Sequence, residues 1–231
     1  MVLPPEVPVM TLPSVTLFPQ ALLPLFIFEP RYRKMLRDTL QGSRIFAVAM
    51  QKPEALREAP TEIAGVGLVR ACVTHPDGTS HLVLQGLARV ELGAPIQQKP
   101  YRIHPIKPLE TKGSDTIIVE ALTAKVLDLV AERFEHSPQG GAVPQVLNEL
   151  YPVTGESNAL APDKVTLDQM MKYFSKLENP SQLADLVTCT LLTAPNQRQT
   201  ILETVNLEER LKYLIHFLMA GSGDGGKTEK T

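Results

Sequence analysis

The sequence predicts an α+β protein, with a β-rich first half over residues 1–112 and a helical second half over residues 113–220. Through residues 7–109 the apolar residues mostly alternate with polar ones, which is the spacing of strands. From Ser114 onward they recur every three or four residues, which is the spacing of helices. The chain has 231 residues, of which 43% are hydrophobic, so there are enough apolar side chains for a globular core.

The first elements are predicted on either side of a proline-bracketed segment. Candidate strands cover residues 7–12 and 25–28, and the flanking prolines favour a strand for the second run. Pro30 then predicts a helix start, because its fixed φ suits the first helical turn. Apolar side chains at helical spacing support this helix: Tyr32, Met35, Leu36 and Leu40. Gly42 predicts a left-handed cap at the helix C-terminus.

A β-hairpin is the clearest feature of the first half. Its strands cover residues 63–74 and 80–92, and Pro76-Asp77-Gly78-Thr79 supplies the turn. Another strand is predicted at 44–50, followed by a surface excursion over 51–61. Glycine weakens a strand unless the strand bends or another backbone approaches closely. A strongly coiled, barrel-like sheet is therefore favoured by the glycines inside the hairpin strands, which are Gly65, Gly67 and Gly86.

The second half is predicted to be a compact helical bundle. One helix runs to about residue 134, a short one covers 144–150, and a loop over 151–164 precedes three more. Each of these three begins with a capping residue followed three positions later by Glu or Gln: Thr166 with Gln169, Asn179 with Gln182, and Asn206 with Glu209. Their apolar faces include Phe174, Leu183, Val187, Leu207, Leu211, Leu214 and Leu218. The glycine-rich residues 221–231 are predicted to be a disordered tail.

Charge and cysteine content limit the kinds of partner. Lysine plus arginine number 23 against 25 aspartates and glutamates, so no overall positive field attracts nucleic acid or an anionic membrane. No apolar run is long enough to span a bilayer, and residues 1–5 lack the features of a secretion signal. Cys72 and Cys189 have no CxxC spacing and are expected to be ordinary buried thiols. We therefore expect a cytoplasmic protein.

No sequence pattern indicates catalysis or a cofactor. Residues 221–228 match a phosphate-binding loop, but the string follows a helix instead of a buried strand and opens no helix, so nucleotide binding is not expected. The serines lie in no nucleophile-elbow pattern. His75 and His81 flank the hairpin turn, and alternation along a strand predicts that their imidazoles diverge and share no metal ion. We expect no enzyme activity, cofactor or metal.

Two surfaces are candidates for binding a protein or peptide. The first is the polar face of the first helix, with Glu29, Arg31, Arg33, Lys34 and Arg37, which is either a solvated face or a dock for acidic or exposed peptide segments. The second is a group of phenylalanines, which are either core residues or the lining of a partly exposed aromatic groove: Phe18, Phe26 and Phe28.

Several strings, taken in order, resemble the N-terminal substrate-binding domain of the ATP-dependent Lon protease family. They are LFPQALLPLFIFEPRYRKMLRDTLQG at 17–42, RIFAVAMQK at 44–52, EIAGVGLVR at 62–70, PDG at 76–78, QGLAR at 85–89, NPSQLAD at 179–185 and VNLEERL at 205–211. The resemblance covers roughly residues 8–220. It implies a PUA-like β pseudo-barrel with one helix, followed by closing helices.

The resemblance also implies a function. It indicates a free-standing, non-enzymatic module that binds unfolded or exposed protein segments, without the ATPase and protease modules of full Lon, and with a protease or another protein as a possible partner. Cereblon-type ligase receptors look like proteins that contain the same domain, in which it serves as an adaptor without a protease. The alternatives are an RNA-binding PUA-like protein, against which the balanced charge and missing tryptophan count, and self-association through the helical bundle.

Overall fold

The computed structural model describes residues 2–53, 55, 58–113, 116–135, 167–174, 176, 177 and 179–221. These residues form six strands and six helices. The strands are β1 (Glu6–Leu12), β2 (Leu22–Ile27), β3 (Ile45–Met50), β4 (Ile63–Thr74), β5 (Ser80–Leu92) and β6 (Arg102–Leu109). The helices are α1 (Pro30–Gln41), α2 (Ile117–Glu135), α3 (Leu167–Phe174), α4 (Pro180–Leu191), α5 (Pro195–Glu203) and α6 (Leu207–Gly221).

The chain divides into two compact units. The first consists of residues 1–110 and 194–205, and the second of residues 111–193 and 206–231. Both units mix elements that are distant in sequence, because the chain returns to the first unit for residues 194–205. Within the described residues, no helix has both the length and the hydropathy that crossing a bilayer requires.

The first unit is built on one six-stranded sheet in the order β2-β5-β4-β3-β1-β6. β1 and β3 are parallel, and the other pairs are antiparallel. β6 also pairs with β5, so strand pairing runs from β5 through β4, β3, β1 and β6 back to β5. β2 lies outside this circuit, at the end of the sheet.

The first helix packs its predicted apolar face against the sheet. Pro30 occupies the first turn, and the buried side chains of α1 include Met35 and Leu36. The buried Tyr32 hydroxyl accepts a hydrogen bond from the Thr11 N–H and donates one to the Thr11 carbonyl, at 3.1 Å each. This pair of bonds fixes α1 against β1 without leaving the phenol unsatisfied.

The predicted left-handed conformation of Gly42 is wrong. Gly42 has φ −111° and ψ −129°, and the positive φ, 61°, belongs to Arg44. The N–H groups of Gly42 and Arg44 both donate to the Thr39 carbonyl, at 3.1 and 3.0 Å. The chain therefore reverses two residues later than the glycine suggests, and Arg44 carries the strained conformation.

The strand glycines allow a second backbone to cross the sheet closely. A Cβ atom on Gly65 would lie 1.9 Å from the Leu17 carbonyl oxygen, and one on Gly86 would lie 1.9 Å from that of Phe18. The Leu17 and Phe18 side chains are themselves buried. The close approach that glycine permits is therefore present at both positions.

Two elements of the first unit were not predicted. β6 contains Pro105 and Pro108, which weaken a strand signal because proline cannot donate to the ladder. α5 was missed because it is short and mostly polar, with Ile201 and Leu202 as its buried apolar residues. It contacts β4, and Gln199 Nε2 donates to the Ile63 carbonyl at 3.0 Å. Residues 194–205 therefore group with the sheet, although the sequence analysis assigned them to the helical half.

In the second unit, α2 contacts α3, α4 and α6. Asn179 Oδ1 accepts from the Ser181 N–H at 2.9 Å, and Asn206 Oδ1 accepts from the Glu209 N–H at 3.0 Å, which confirms these two predicted helix caps. The predicted apolar positions Leu183, Val187, Leu207, Leu211, Leu214 and Leu218 are buried. The Thr166 cap, the helix at 144–150, the loop at 151–164 and the tail beyond residue 221 lie outside the described residues.

A buried arginine joins three segments of the second unit. Arg210 on α6 is 0% exposed. Its guanidinium lies 2.8 Å from Ser181 Oγ, 3.4 Å from Thr111 Oγ1 and 3.6 Å from Asp185 Oδ1. A buried cation requires such partners, because an unpaired charge in a protein interior is strongly destabilising.

Candidate functional site

One solvent-facing part of the sheet is apolar. The strand register places Phe26, His81 and Val73 in one cross-strand row. Pro24, Val83 and Ala71 form the neighbouring row. Residues directly opposite each other lie on the same face, so both rows share one side of β2, β5 and β4. We call these six residues the outer apolar face. It forms a shallow depression, in which Phe26 is 50% exposed and Val73 61% exposed.

The opposite side of the same strands faces the core. Leu82 and Leu84 of β5 are buried in the core cluster, and Leu23, Leu25 and Cys72 pack against it. Antiparallel sheets with one solvated face normally alternate apolar and polar residues. These strands are instead apolar on both sides, which is a feature of a surface that another molecule covers.

Aromatic rings extend the outer apolar face at the end nearest the hairpin turn. Phe28 is 59% exposed, and its ring stacks on that of Phe26 with centroids 5.9 Å apart. The Phe26 and His81 ring centroids are 4.6 Å apart. At the other end, Arg70 hydrogen-bonds to Gln85 and forms a polar boundary.

The predicted divergence of the two hairpin histidines is wrong. His75 Nε2 and His81 Nδ1 are 2.8 Å apart, within hydrogen-bond distance. Alternation does not govern the His75 side chain, because β4 ends at Thr74 and His75 belongs to the turn, with its N–H donated to the Thr79 carbonyl. Within the part of the chain that the structure describes, no group of three or more His, Cys, Asp or Glu side chains is placed to hold a metal ion.

The polar face of α1 is largely engaged by its own unit. Arg31 Nε lies 2.8 Å from Glu29 Oε2, and Arg31 Nη1 lies 2.7 Å from Glu58 Oε2. Lys34 Nζ lies 3.1 Å from Asp38 Oδ2. Arg33 Nη2 donates to the Asp77 carbonyl at 2.8 Å, which ties α1 to the hairpin turn. These internal partners reduce the charge that the helix offers to a peptide.

A tyrosine contacts the same charged helix. Tyr101 Oη donates to Asp38 Oδ2 at 2.7 Å. Burial, together with this bond, raises the pKa of Tyr101 to about 12. The hydrogen bond from Tyr101, followed by the one from Lys34, lowers the pKa of Asp38. The carboxylate is therefore held in its charged form by two donors, which is a structural role.

The structure separates the phenylalanine candidates. Phe18 is buried, whereas Phe26 and Phe28 lie at the surface next to each other. Sequence reasoning missed Pro24, Ala71, Val73, His81 and Val83 as their neighbours. The available signal was that Leu22–Ile27 and the hairpin strands carry apolar residues at both alternating positions.

A family model described as the ATP-dependent protease La (LON) substrate-binding domain matches residues 6–220. The chain is 25% identical over 218 residues to a Lon protease of Dictyoglomus thermophilum, covering 93% of this chain and 24% of that protein. It is 28% identical over 218 residues to a Lon protease of Desulfosudis oleivorans, covering 91% and 23%. The chain thus spans about a quarter of the length of these relatives.

Solved structures show the same fold. The N-terminal domain of a Mycobacterium avium complex Lon protease superposes with a TM-score of 0.67 at 18% identity, covering 93% of this chain and 98% of that one. A Lon N-terminal domain protein from Xanthomonas campestris gives 0.58 at 17% identity, covering 92% and 98%. These matches confirm the resemblance found in the sequence and do not favour the RNA-binding alternative.

Proposed function

The chain belongs to the family of LON substrate-binding domains, and from this premise we propose that it binds exposed segments of other proteins on the outer apolar face. The observation that carries the proposal is the pair of apolar rows on the solvent side of β2, β5 and β4, with Phe26 and Val73 at least half exposed. Apolar side chains are mostly buried in folded proteins and exposed in unfolded segments. An unfolded segment can therefore cover the outer apolar face with its own apolar side chains.

The aromatic surface is a better candidate than the basic helix. Phe26, Phe28 and Val73 have large exposed areas, whereas Arg31 and Lys34 already form ion pairs within the unit. Binding would therefore depend mainly on apolar burial, with Glu29, Arg31, Arg33 and Lys34 contributing to encounter at low salt.

We further propose that the module is not itself an enzyme. Its matched region corresponds to the substrate-binding part of the relatives.

The circuit of strand pairing through β6 supports the PUA-like pseudo-barrel description. The contacts of α2 with α3, α4 and α6, and of α4 with α6, support the description of a helical bundle. Neither Cys72 nor Cys189 forms a disulfide, which fits a reducing cytoplasm.

The binding proposal is tested with one model protein in two states. A reduced, carboxymethylated and fluorescently labelled client is compared with the same protein folded, by fluorescence anisotropy. We expect micromolar affinity for the unfolded client, about −8 kcal/mol, and at least tenfold weaker binding of the folded one. Equal affinity for both states, or tighter binding of bulk RNA than of either, would contradict the proposal.

A further inference from the structure

We propose that the client segment binds as an added β-strand along the free edge of β2. This inference rests on the proposed function, because it specifies how an exposed segment docks next to the outer apolar face. Strand addition is a recurring mode of peptide recognition, in which main-chain hydrogen bonds provide affinity and side-chain pockets provide selectivity.

β2 has an open hydrogen-bonding edge. It is the terminal strand in the sheet order, and among the described residues it pairs with β5 alone. The Gly86 N–H donates to the Ala21 carbonyl at 2.8 Å, one step before the Leu22–Gln85 pair. In an antiparallel ladder, successive residues direct their main-chain groups to opposite sides. The groups that face away from β5 are therefore those of Leu22, Pro24 and Phe26.

Both sides of β2 are incompletely covered. Leu23 and Leu25 point to the core side, yet they are only half-buried. Phe26, on the other side, is 50% exposed. A helix lying on the outer apolar face would cover Phe26 and leave the two leucines unchanged. A strand placed beside β2 has side chains on both sides of the sheet, so it covers all three.

Pro24 explains how the β2 edge can accept a client strand and yet pair only weakly with the same edge of a second copy. Its missing N–H is on the free edge, where proline is tolerated in a sheet. Proline at that position weakens pairing with a second copy of the same edge, because each copy lacks a donor. The carbonyls of Leu22, Pro24 and Phe26 and the N–H groups of Leu22 and Phe26 remain for an incoming chain.

The occupant that fits this edge is an extended segment with apolar side chains on both of its faces. Runs of valine, isoleucine and phenylalanine have that character, and in folded proteins they form strands covered on both sides. Charged side chains on either face of the segment would lie against the leucines or the phenylalanine and lose hydration.

The first experiment uses three versions of one fluorescent nine-residue peptide of Val, Ile, Thr and Phe. One is unmodified, one carries N-methyl groups on residues 4 and 6, and one carries them on residues 4 and 5. The 4,6 pair blocks one edge of an extended peptide, whereas the 4,5 pair blocks both edges with the same number of methyl groups. We expect the 4,6 peptide to bind within threefold of the unmodified peptide and the 4,5 peptide to bind at least tenfold more weakly.

The second experiment restores a donor on the protein. Pro24→Val keeps an apolar side chain and adds an N–H on the free edge. We expect it to bind the unmodified peptide at least threefold more tightly than wild type does. The comparison is Phe28→Val, which changes a side chain beside the outer apolar face and leaves the main-chain groups of β2 unchanged. Equal affinity of the Pro24→Val variant and wild type would contradict strand addition.

The outcomes separate the two proposals. If the unmodified peptide binds, Val73→Ser weakens that binding, and the 4,5 and 4,6 peptides have equal affinity, strand addition is overturned while the proposed function stands. If the unmodified peptide fails to bind, or Val73→Ser has no effect, the proposed function itself fails. A stable dimer that the peptide cannot displace would assign the edge to a second copy and overturn strand addition.

Discussion

The carbonyl oxygen of Leu17 occupies the space that a side chain on Gly65 would need, with 1.9 Å between that oxygen and an added Cβ. The main chain before β2 therefore crosses directly over β4, and relaxation would have to move backbone. We predict that Gly65→Ala lowers the free energy of unfolding by roughly 3 kcal/mol or more, measured by urea denaturation. Gly93→Ala is the control, because its Cβ would meet Pro105 no closer than 3.5 Å. Similar stability of the two variants would show that the crossing is misplaced.

The Arg210–Asp185 pair is expected to stabilise the second unit, because removing one member of a buried ion pair weakens the compensation of the other charge. Asp185→Ala removes the carboxylate oxygen that lies 3.6 Å from the buried Arg210 guanidinium. We predict a loss of about 3–5 kcal/mol in urea unfolding. Lys212→Ala breaks the exposed Lys212–Glu208 pair on the same helix and should cost less than about 1 kcal/mol. An Asp185→Ala effect as small as that of Lys212→Ala would contradict the burial of this ion pair.

The Tyr101–Asp38 hydrogen bond predicts a specific dependence of stability on pH. The folded pKa of Asp38 is lowered, first by Tyr101 and then by Lys34. Its stabilising contribution is therefore present above the unfolded pKa of about 3.9, and is lost as pH falls through the folded value. We predict that Tyr101→Phe costs about 1 kcal/mol at pH 7 and less below about pH 3. A cost that does not change between these pH values would contradict the interaction.

The Tyr101–Asp38 hydrogen bond also predicts how stability changes at alkaline pH, where stability falls as the pH rises. The folded pKa of Tyr101 is raised to about 12 by burial and by Asp38. The corresponding stability is present below the unfolded pKa of about 10 and is lost as pH rises toward the folded value. Tyr101→Phe should therefore lose less stability than wild type between those two pH values.

Salt distinguishes the outer apolar face from the basic helix as the client surface. We predict that affinity for an unfolded client changes by less than about threefold between 50 and 500 mM NaCl, because apolar burial is not screened. Reversing Arg31, Arg33 and Lys34 to glutamate should slow association at low salt and leave affinity at high salt unchanged. A steep loss of wild-type affinity with salt would instead assign binding to α1.

Much of the first unit could be predicted from local patterns. The hairpin turn, the proline start of α1 and the strand-length runs rich in apolar residues in β1, β3, β4 and β5 are short-range features, and the structure contains all of them. β6 and α5 could not be predicted from local patterns, because prolines weaken the strand pattern of β6 and polar residues weaken the helical pattern of α5. Their positions depend on long-range partners, such as the Ile63 carbonyl that Gln199 binds.

Only part of the outer apolar face could be predicted from the sequence. Phe26 and Phe28 were recognised as either core or groove residues, and the choice depends on which face of β2 is covered. That information lies in the register with β5 and β4, which brings His81 and Val73 beside Phe26 from about 50 residues away. The contact between His75 and His81 was missed for a related reason, since the strand ends one residue before His75.

The most direct measurement is the affinity of one unfolded, labelled client for wild type and for two surface variants. Phe26→Ser with Val73→Ser removes two exposed side chains from the outer apolar face, and Ile96→Ser removes a side chain that is 57% exposed but lies elsewhere in the first unit. Circular dichroism confirms that each variant is folded. We predict at least tenfold weaker binding for the double variant, about 1.4 kcal/mol, and binding within twofold of wild type for Ile96→Ser. Equal affinity of the double variant and wild type would contradict the assignment of client binding to this face.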